Sequence, residues 1–462
     1  MASHAVGFIG RINEADVKRI EAQGATTNYK GTDHIGKLGI EGAYEKDLHG
    51  TTGSERVEID AGGRAIRALS RSEPQSGNNL VVTLDIKLQE VAEEAFQDYR
   101  GALVAIDPKT GDVLALVSKP GFDPNLFVDG IDPQNWDALN NSPDKPLNNR
   151  ALRGQYPLGS TIKPFMALAA LTYGKRTPEQ SIFDPGHWML PGVTRPFRDW
   201  KAGGHGTVNL HKSIVVSCDT YYYGLANDLG VDAIHRFMTL FGFGSRTGID
   251  IDGELPGLQP SSDWKWQRYR QKWYAGDTIS VGIGQGYVLA TPLQLAAAVA
   301  MLANGGTPVH PRLVRAVQDA RTQEFREFPV RNGEAPAIKA EHVELVRAAM
   351  IDVTRPGGTA VRAAQGAPYL VAGKTGTAQV IGMKSGEKYD EKRVKERHRD
   401  HALFIAFAPA DDPKIALALL VENGGHGGST AAPIAREVFD YHLTGKRPER
   451  RQKLGGEEGE SD

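Results

Sequence analysis

The chain has 462 residues, 40% of them hydrophobic and 24% charged, the composition of a soluble globular protein long enough for two or three domains. Lys and Arg number 54 against 56 Asp and Glu, a formal net charge of −2, so no global basic field points to nucleic acid. One cysteine excludes an internal disulfide framework, and the longest apolar runs, 296–303 and 415–421, fall far short of the roughly 20 residues of a membrane-spanning helix.

The start, Met1-Ala2-Ser3-His4, lacks the basic and apolar regions of a signal peptide. The expectation is a soluble chain, or the soluble part of something larger. Residues 1–80 are rich in Gly, Thr and charge. Residues 31–41 lead into a helical-looking piece through His49. Residues 56–60 alternate with period two, as a half-buried strand does, and 64–69 continue the pattern. This zone reads as a small mixed α/β domain with few strong core segments.

A second zone covers 81–445. Residues 80–84 read as a strand, with Asp85 as N-cap of a helix over 86–99 whose apolar positions are 88, 91, 92, 95 and 96. Residues 102–106 and 112–117 read as a hairpin punctuated by Pro108 and Gly111. A largely helical middle follows. Strand signals return at 369–372, 403–408 and 415–421, and a helix over 432–442 closes the zone. Strands at both ends with helices between predict one antiparallel sheet assembled from distant segments, an α+β architecture. Residues 384–400 are dense in charge and read as a solvated loop. Residues 446–462 read as a disordered charged tail.

Three motifs carry chemistry. The first is Ser160-Thr161-Ile162-Lys163, where Gly159 breaks the preceding chain and an apolar helical run follows. Residues i and i+3 share a helix face, so Ser160 and Lys163 are placed to meet. A neutral lysine activates a serine hydroxyl, which is a weak nucleophile alone. Taken alone, the pattern is more often a capping serine beside a solvent-facing lysine. The second motif is Ser217-Cys218-Asp219, able to position protons between two lysines, or simply to cap a helix beginning near Tyr221. The third is Lys374-Thr375-Gly376-Thr377 after the strand-like 369–373. Period two puts Lys374 and Gly376 on one face and the threonines on the other. Lysine and threonine hydroxyls suit a substrate carboxylate, and Gly376 admits a close backbone approach; taken alone, the motif is more often an edge strand with a glycine kink.

The second motif follows the first by 57 residues and the third follows by another 157. This ordered set, with asparagine where Asp219 stands, belongs to class A β-lactamases and penicillin-binding proteins. With Asn149-Arg150-Ala151, Phe122-Asp123-Pro124-Asn125, Gly282-Ile283-Gly284-Gln285-Gly286 and Thr291-Pro292-Leu293-Gln294, the chain resembles the class B high-molecular-weight penicillin-binding proteins. His34-Ile35-Gly36-Lys37-Leu38-Gly39-Ile40-Glu41 and Arg399-Asp400-His401 narrow the resemblance to the elongation branch, penicillin-binding protein 2. It covers all but the tail.

The resemblance implies an N-terminal pedestal (1–80) and a transpeptidase domain (81–445) with a five-stranded antiparallel sheet between helical layers. It implies acyl transfer without a required cofactor. Ser160 attacks the penultimate D-Ala carbonyl of a stem peptide ending in D-Ala-D-Ala, and Lys163 takes its proton. Ser217 with Asp219 passes a proton toward the departing amine. Lys374, Thr375 and Thr377 hold the terminal carboxylate, and the N–H groups of Ser160 and Thr377 form the oxyanion hole. β-Lactams mimic the donor and stall at the acyl-enzyme. A membrane anchor outside this sequence, a place on the periplasmic face of the inner membrane, and partnership with a membrane glycan polymerase and a rod-shape scaffold protein are also implied. A β-lactamase, or a non-catalytic β-lactam-sensing scaffold of the same fold, remains the alternative.

Asp184, Asp199, His205 and Cys218 are separated by 15, 6 and 13 residues. Their donors suit tetrahedral zinc, but the intervals match no compact zinc signature. A buried cysteine and a capping aspartate are the ordinary explanations. Some penicillin-binding proteins 2 are similar to this chain here and carry a structural zinc on Asp, Asp, His and Cys.

Overall fold

The hairpin in the sequence is the seed of the central sheet. In the computed structural model, which describes residues 1–381 and 394–447, strands β1 (Gly101–Ile106) and β2 (Val113–Lys119) pair antiparallel. Asp107 makes the turn, its carboxylate accepting from the N–H groups of Lys109 and Thr110. Gly111 finishes it at φ +77, where a Cβ would lie 2.2 Å from the carbonyl oxygen of His310. Strands β3 (Ala372–Ala378), β4 (His401–Ala408) and β5 (Ile415–Val421) complete the sheet in the order β3-β4-β5-β1-β2, all antiparallel.

Every residue of β5 is buried, on both faces. A strand covered on both sides reads as a continuous apolar run rather than an alternation. The covering helices include α1 (Ile86–Ala95), α2 (Lys163–Thr172), α3 (Asp219–Leu229), α4 (Ala275–Gly282), α5 (Pro292–Ala303), α6 (Ala340–Val353) and α7 (Ala432–Thr444). Helix α5 lies on β5 and β1, and α1 and α7 pack on each other. The expected five-stranded antiparallel sheet in an α+β fold is thus present.

Some boundaries differ. Asp85 caps α1 through the N–H groups of Lys87 and Leu88, but the helix stops at Ala95 because Gln97 turns left-handed at φ +48. The first of the returning strand signals is displaced: residues 369–371 precede β3, which runs instead through the lysine-threonine-glycine motif. Residues 79–82 do form a strand, but it pairs with Val314–Gln318 in a separate three-stranded sheet.

In the first zone, Phe8–Arg11 pairs with His34–Leu38, and two short helices, Gly39–Ala43 and Glu45–Leu48, follow. Ser54–Ile59 and Ala65–Ser72 form a largely exposed hairpin. Ala2, Ala5 and Ile40 join the main hydrophobic core. Of the charged loop, 394–400 is described and carries a short helix, Glu396–His398. Residues 384–393 of that loop, and 448–462 of the expected tail, lie outside the described residues. No helix among the described residues is long and apolar enough to cross a membrane.

Candidate active site

Gly159 opens a single 3₁₀ turn, Gly159–Ile162, that runs straight into α2. Pro164 sits in the first turn of α2, where its missing N–H is no loss. Ser160 therefore stands at the amino end of a helix whose residues 163–171 are all buried.

The turn is pressed against β3. A Cβ on Gly159, at φ +51, would lie 2.5 Å from the carbonyl oxygen of Thr377, and one on Gly376 would lie 2.7 Å from the Thr161 methyl. Only glycine at both positions lets the nucleophile turn touch the sheet edge.

Lys163 leaves α2 fully buried, and its Nζ donates to Asp219 Oδ1 at 2.6 Å, to the Ser217 carbonyl at 2.7 Å and to Ser217 Oγ at 3.1 Å. The Tyr222 ring lies 5.4 Å from the amine. From the other side, Lys374 Nζ donates to Ser217 Oγ at 2.8 Å and to the Thr375 carbonyl at 3.0 Å. The hydroxyl of Ser217 thus bridges two buried amines that are 211 positions apart in sequence. Burial first, and the charge of Lys163 second, push the Lys374 amine well below the ordinary lysine range, with Asp219 opposing.

Ser217 holds this place in a left-handed backbone, φ +57. Such a conformation costs a non-glycine residue about 1–3 kcal/mol, and here it turns both the carbonyl and the hydroxyl toward Lys163. The cap expected of this motif falls to its neighbours. Cys218 occupies the N-cap position of α3, and Asp199 Oδ2 accepts from the N–H groups of Asp219 and Thr220 at 2.6 and 3.1 Å.

Among the described residues no hydrogen bond joins Ser160 Oγ to Lys163 Nζ; the amine is turned to Ser217 and Asp219. Thr375 does not share a face with Lys374. Its hydroxyl meets that of Thr359 at 2.8 Å, as strand alternation requires.

Asp184, Asp199, His205 and Cys218 converge on the back of the same segment, with ligand atoms all within 4.8 Å of one another. Pairing of Ile182–Asp184 with Gly206–Val208 sets Asp184 opposite Gly206 and so beside His205. His205 Nδ1 lies 2.9 Å from Asp184 Oδ2 and 3.5 Å from Asp199 Oδ1, and Cys218 Sγ lies 3.4 Å from Asp184 Oδ2. His205 Nε2 is buried without a partner. Burial, and then Asp199, push the Cys218 thiol up.

Residues 101–440 match the family model described as the penicillin binding protein transpeptidase domain, and residues 1–82 match the penicillin-binding protein dimerisation domain. The chain belongs to the penicillin-binding protein transpeptidase family. The peptidoglycan D,D-transpeptidase MrdA of Acinetobacter baumannii is 47% identical over 98% of this chain and 67% of its own length. A crystal structure of Pseudomonas aeruginosa PBP2 in complex with WCK 5153 superposes with a TM-score of 0.82 at 44% identity, over 96% of this chain and 88% of that one. PBP2 of Helicobacter pylori, solved in a complex with MreC, gives the same TM-score at 32% identity, over 96% and 78%.

Sequence reasoning missed two residues of this penicillin-binding protein that touch the β3 edge. Thr359 approaches Thr375 from the loop after α6. Gln285 donates through Nε2 to the Thr377 carbonyl at 3.1 Å. Gln285 lay inside a quoted motif, Gly282 to Gly286, but nothing in that motif names a partner 92 residues away.

Proposed function

We propose that the chain cross-links peptidoglycan as a serine D,D-transpeptidase of cell-wall elongation. The observation that carries this reading is Ser217 Oγ, bonded to both Lys163 and Lys374 beside the turn that bears Ser160. Ser160 Oγ attacks the penultimate D-Ala carbonyl, and its proton passes to Lys163, which takes it as the neutral amine once its own proton has moved to Asp219 within the pair the two make. The carbonyl oxygen gathers negative charge between the N–H groups of Ser160 and Thr377, an arrangement worth about 3–4 kcal/mol per donor.

Collapse of the tetrahedral species breaks the peptide bond. The departing D-Ala amine takes a proton through Ser217, whose hydroxyl is recharged by the amine it touches; Asp219 orients Lys163 throughout. A stem-peptide amine of a second strand then attacks the ester, releases Ser160 and forms the cross-link. Lys374 and the edge of β3 at Gly376 and Thr377 receive the donor's terminal carboxylate; the Thr375 hydroxyl, turned to Thr359, holds the strand from its other face. β-Lactams enter as donor mimics and remain on Ser160.

Residues 1–80 act as the pedestal and 81–445 as the catalytic unit, on the periplasmic face of the inner membrane. The partners are a membrane glycan polymerase and a rod-shape scaffold protein; the H. pylori complex with MreC supports the second.

Asp184, Asp199, His205 and Cys218 fit a structural zinc. Two carboxylates, an imidazole and a thiol bring their donor atoms within 4.8 Å of one another, and His205 Nε2 is buried without a hydrogen-bond partner. Zinc would hold the thiol as thiolate and tether the segment that carries Ser217 and Asp219.

Peptide mass mapping after incubation with a β-lactam tests the reading. One stoichiometric, long-lived adduct is expected on Ser160, absent in Ser160→Ala, together with cross-linking of stem peptides. Rapid nitrocefin turnover would indicate a β-lactamase. Acylation with no cross-linking would indicate a sensor or scaffold, and adduct formation by Ser160→Ala would remove Ser160 as nucleophile.

A further inference from the structure

Strand β3 lies at the edge of the sheet, hydrogen-bonded to β4 on one side only. In an extended strand the N–H and C=O of one residue point to the same side, and successive residues alternate. The Thr377 carbonyl accepts from Gln285 rather than from β4, so the Thr377 N–H also points away from the sheet, into the cleft beside Ser160. The peptide unit that follows, carrying the Thr377 carbonyl, has no strand beyond it and is held by Gln285 instead, which fixes the backbone at Thr377 from the outer side; an oxyanion donor is effective only when fixed in advance.

The loop after α4 supplies that fixing. The Gly284 carbonyl accepts from the N–H of Gly159 at 2.8 Å, and a Cβ on Gly284, at φ +75, would lie 2.2 Å from the Gly159 oxygen. The loop is itself tied back to α4, Gly284 N–H to Val281 and Gln285 N–H to Ser280. One two-residue segment therefore grips both halves of the oxyanion hole: Gly284 holds the residue before Ser160, and the Gln285 side chain holds Thr377.

We propose that Gln285 is a positioning residue that orients the Thr377 N–H toward the developing oxyanion, acting on the acylation step and not on ground-state binding. The proposal rests on the transpeptidase reading above. Loss of a whole oxyanion donor typically costs about 10²–10³ in rate; misalignment of one is expected to cost less.

The test is stopped-flow acylation by a β-lactam, resolved into the dissociation constant of the first complex and the first-order acylation rate. Gln285→Glu keeps the shape but removes the donor, and it serves if Gln285→Ala does not fold. Both variants are expected to acylate roughly 10–100-fold more slowly, with the first dissociation constant changed less than about threefold. Affinity for a peptide boronic acid, whose tetrahedral adduct places an oxygen in the hole, should fall in parallel. Acylation and boronate binding at the wild-type level in both variants, or a loss confined to the first complex, would overturn the proposal. Failure of the wild-type protein to acylate Ser160 would instead overturn the transpeptidase reading.

Discussion

Lys163 and Asp219 form a 2.6 Å ion pair in which the lysine side chain is wholly buried and the aspartate side chain is 13% exposed. A second buried amine, Lys374, shares Ser217 with that lysine, so a single carboxylate serves a pocket with two amines. Removing one partner of a buried pair leaves the other charge uncompensated, typically at a cost of about 3–5 kcal/mol. Asp219→Ala is expected to lose that much in denaturant unfolding and to lose most β-lactam acylation. Asp219→Asn keeps an oxygen acceptor for Lys163 and should lose less of both. Equal losses in the two variants would show that a neutral acceptor rescues nothing and that the charge carries the whole effect.

Gly376 makes room for the nucleophile turn. An added methyl would meet the Thr161 methyl at 2.7 Å and the Leu158 carbonyl at 3.2 Å. Overpacking of this kind costs about 1–3 kcal/mol. Gly376→Ala should lower the melting temperature and slow acylation by pushing β3 from Ser160. Wild-type acylation would mean the two segments separate without consequence.

His4 couples stability to pH. Burial foremost, aided by the charge of Arg150, pushes its imidazole from 6.5 down to about 4. The ring packs edge-on against Phe122 at 5.0 Å. The unfolded chain takes up a proton that the folded chain refuses. Stability from this group is therefore complete above about pH 6.5 and is lost as pH falls toward about 4. The shift sets an upper limit of about 3–4 kcal/mol at about 1.4 kcal/mol per unit. Urea unfolding across that window should slope in the wild type and flatten in His4→Gln; identical slopes would clear His4.

The four-donor cluster predicts about one equivalent of zinc in protein purified without chelator. Metal removal should lower the melting temperature, and zinc should restore it. Cys218→Ser and His205→Ala should each lose the metal. Less than about half an equivalent, unchanged in His205→Ala, would end the assignment.

The local chemistry was legible in the sequence because it is short-ranged. Asp85 caps α1, the residues at 107–111 turn the β1–β2 hairpin, and the Ser-x-x-Lys motif stands at the start of a buried helix, each decided by neighbours within a few positions. Order and spacing of the three motifs carried the family. What the one-dimensional pattern left open was which side chain meets which. The alternation of β3 was readable, but that its opposite face meets Thr359 depends on the loop after α6. The intervals between Asp184, Asp199, His205 and Cys218 matched nothing, because the cluster is closed by strand pairing and by the cap that Asp199 makes on α3. Gln285 reaches Thr377 only because α4 is packed on α3 and the nucleophile turn is pressed on the sheet edge. Sequence determined the reactive groups and the elements that carry them; tertiary structure decided their partners, since hydrogen bonds and steric contacts act over a few ångströms while these residues lie tens to hundreds of positions apart.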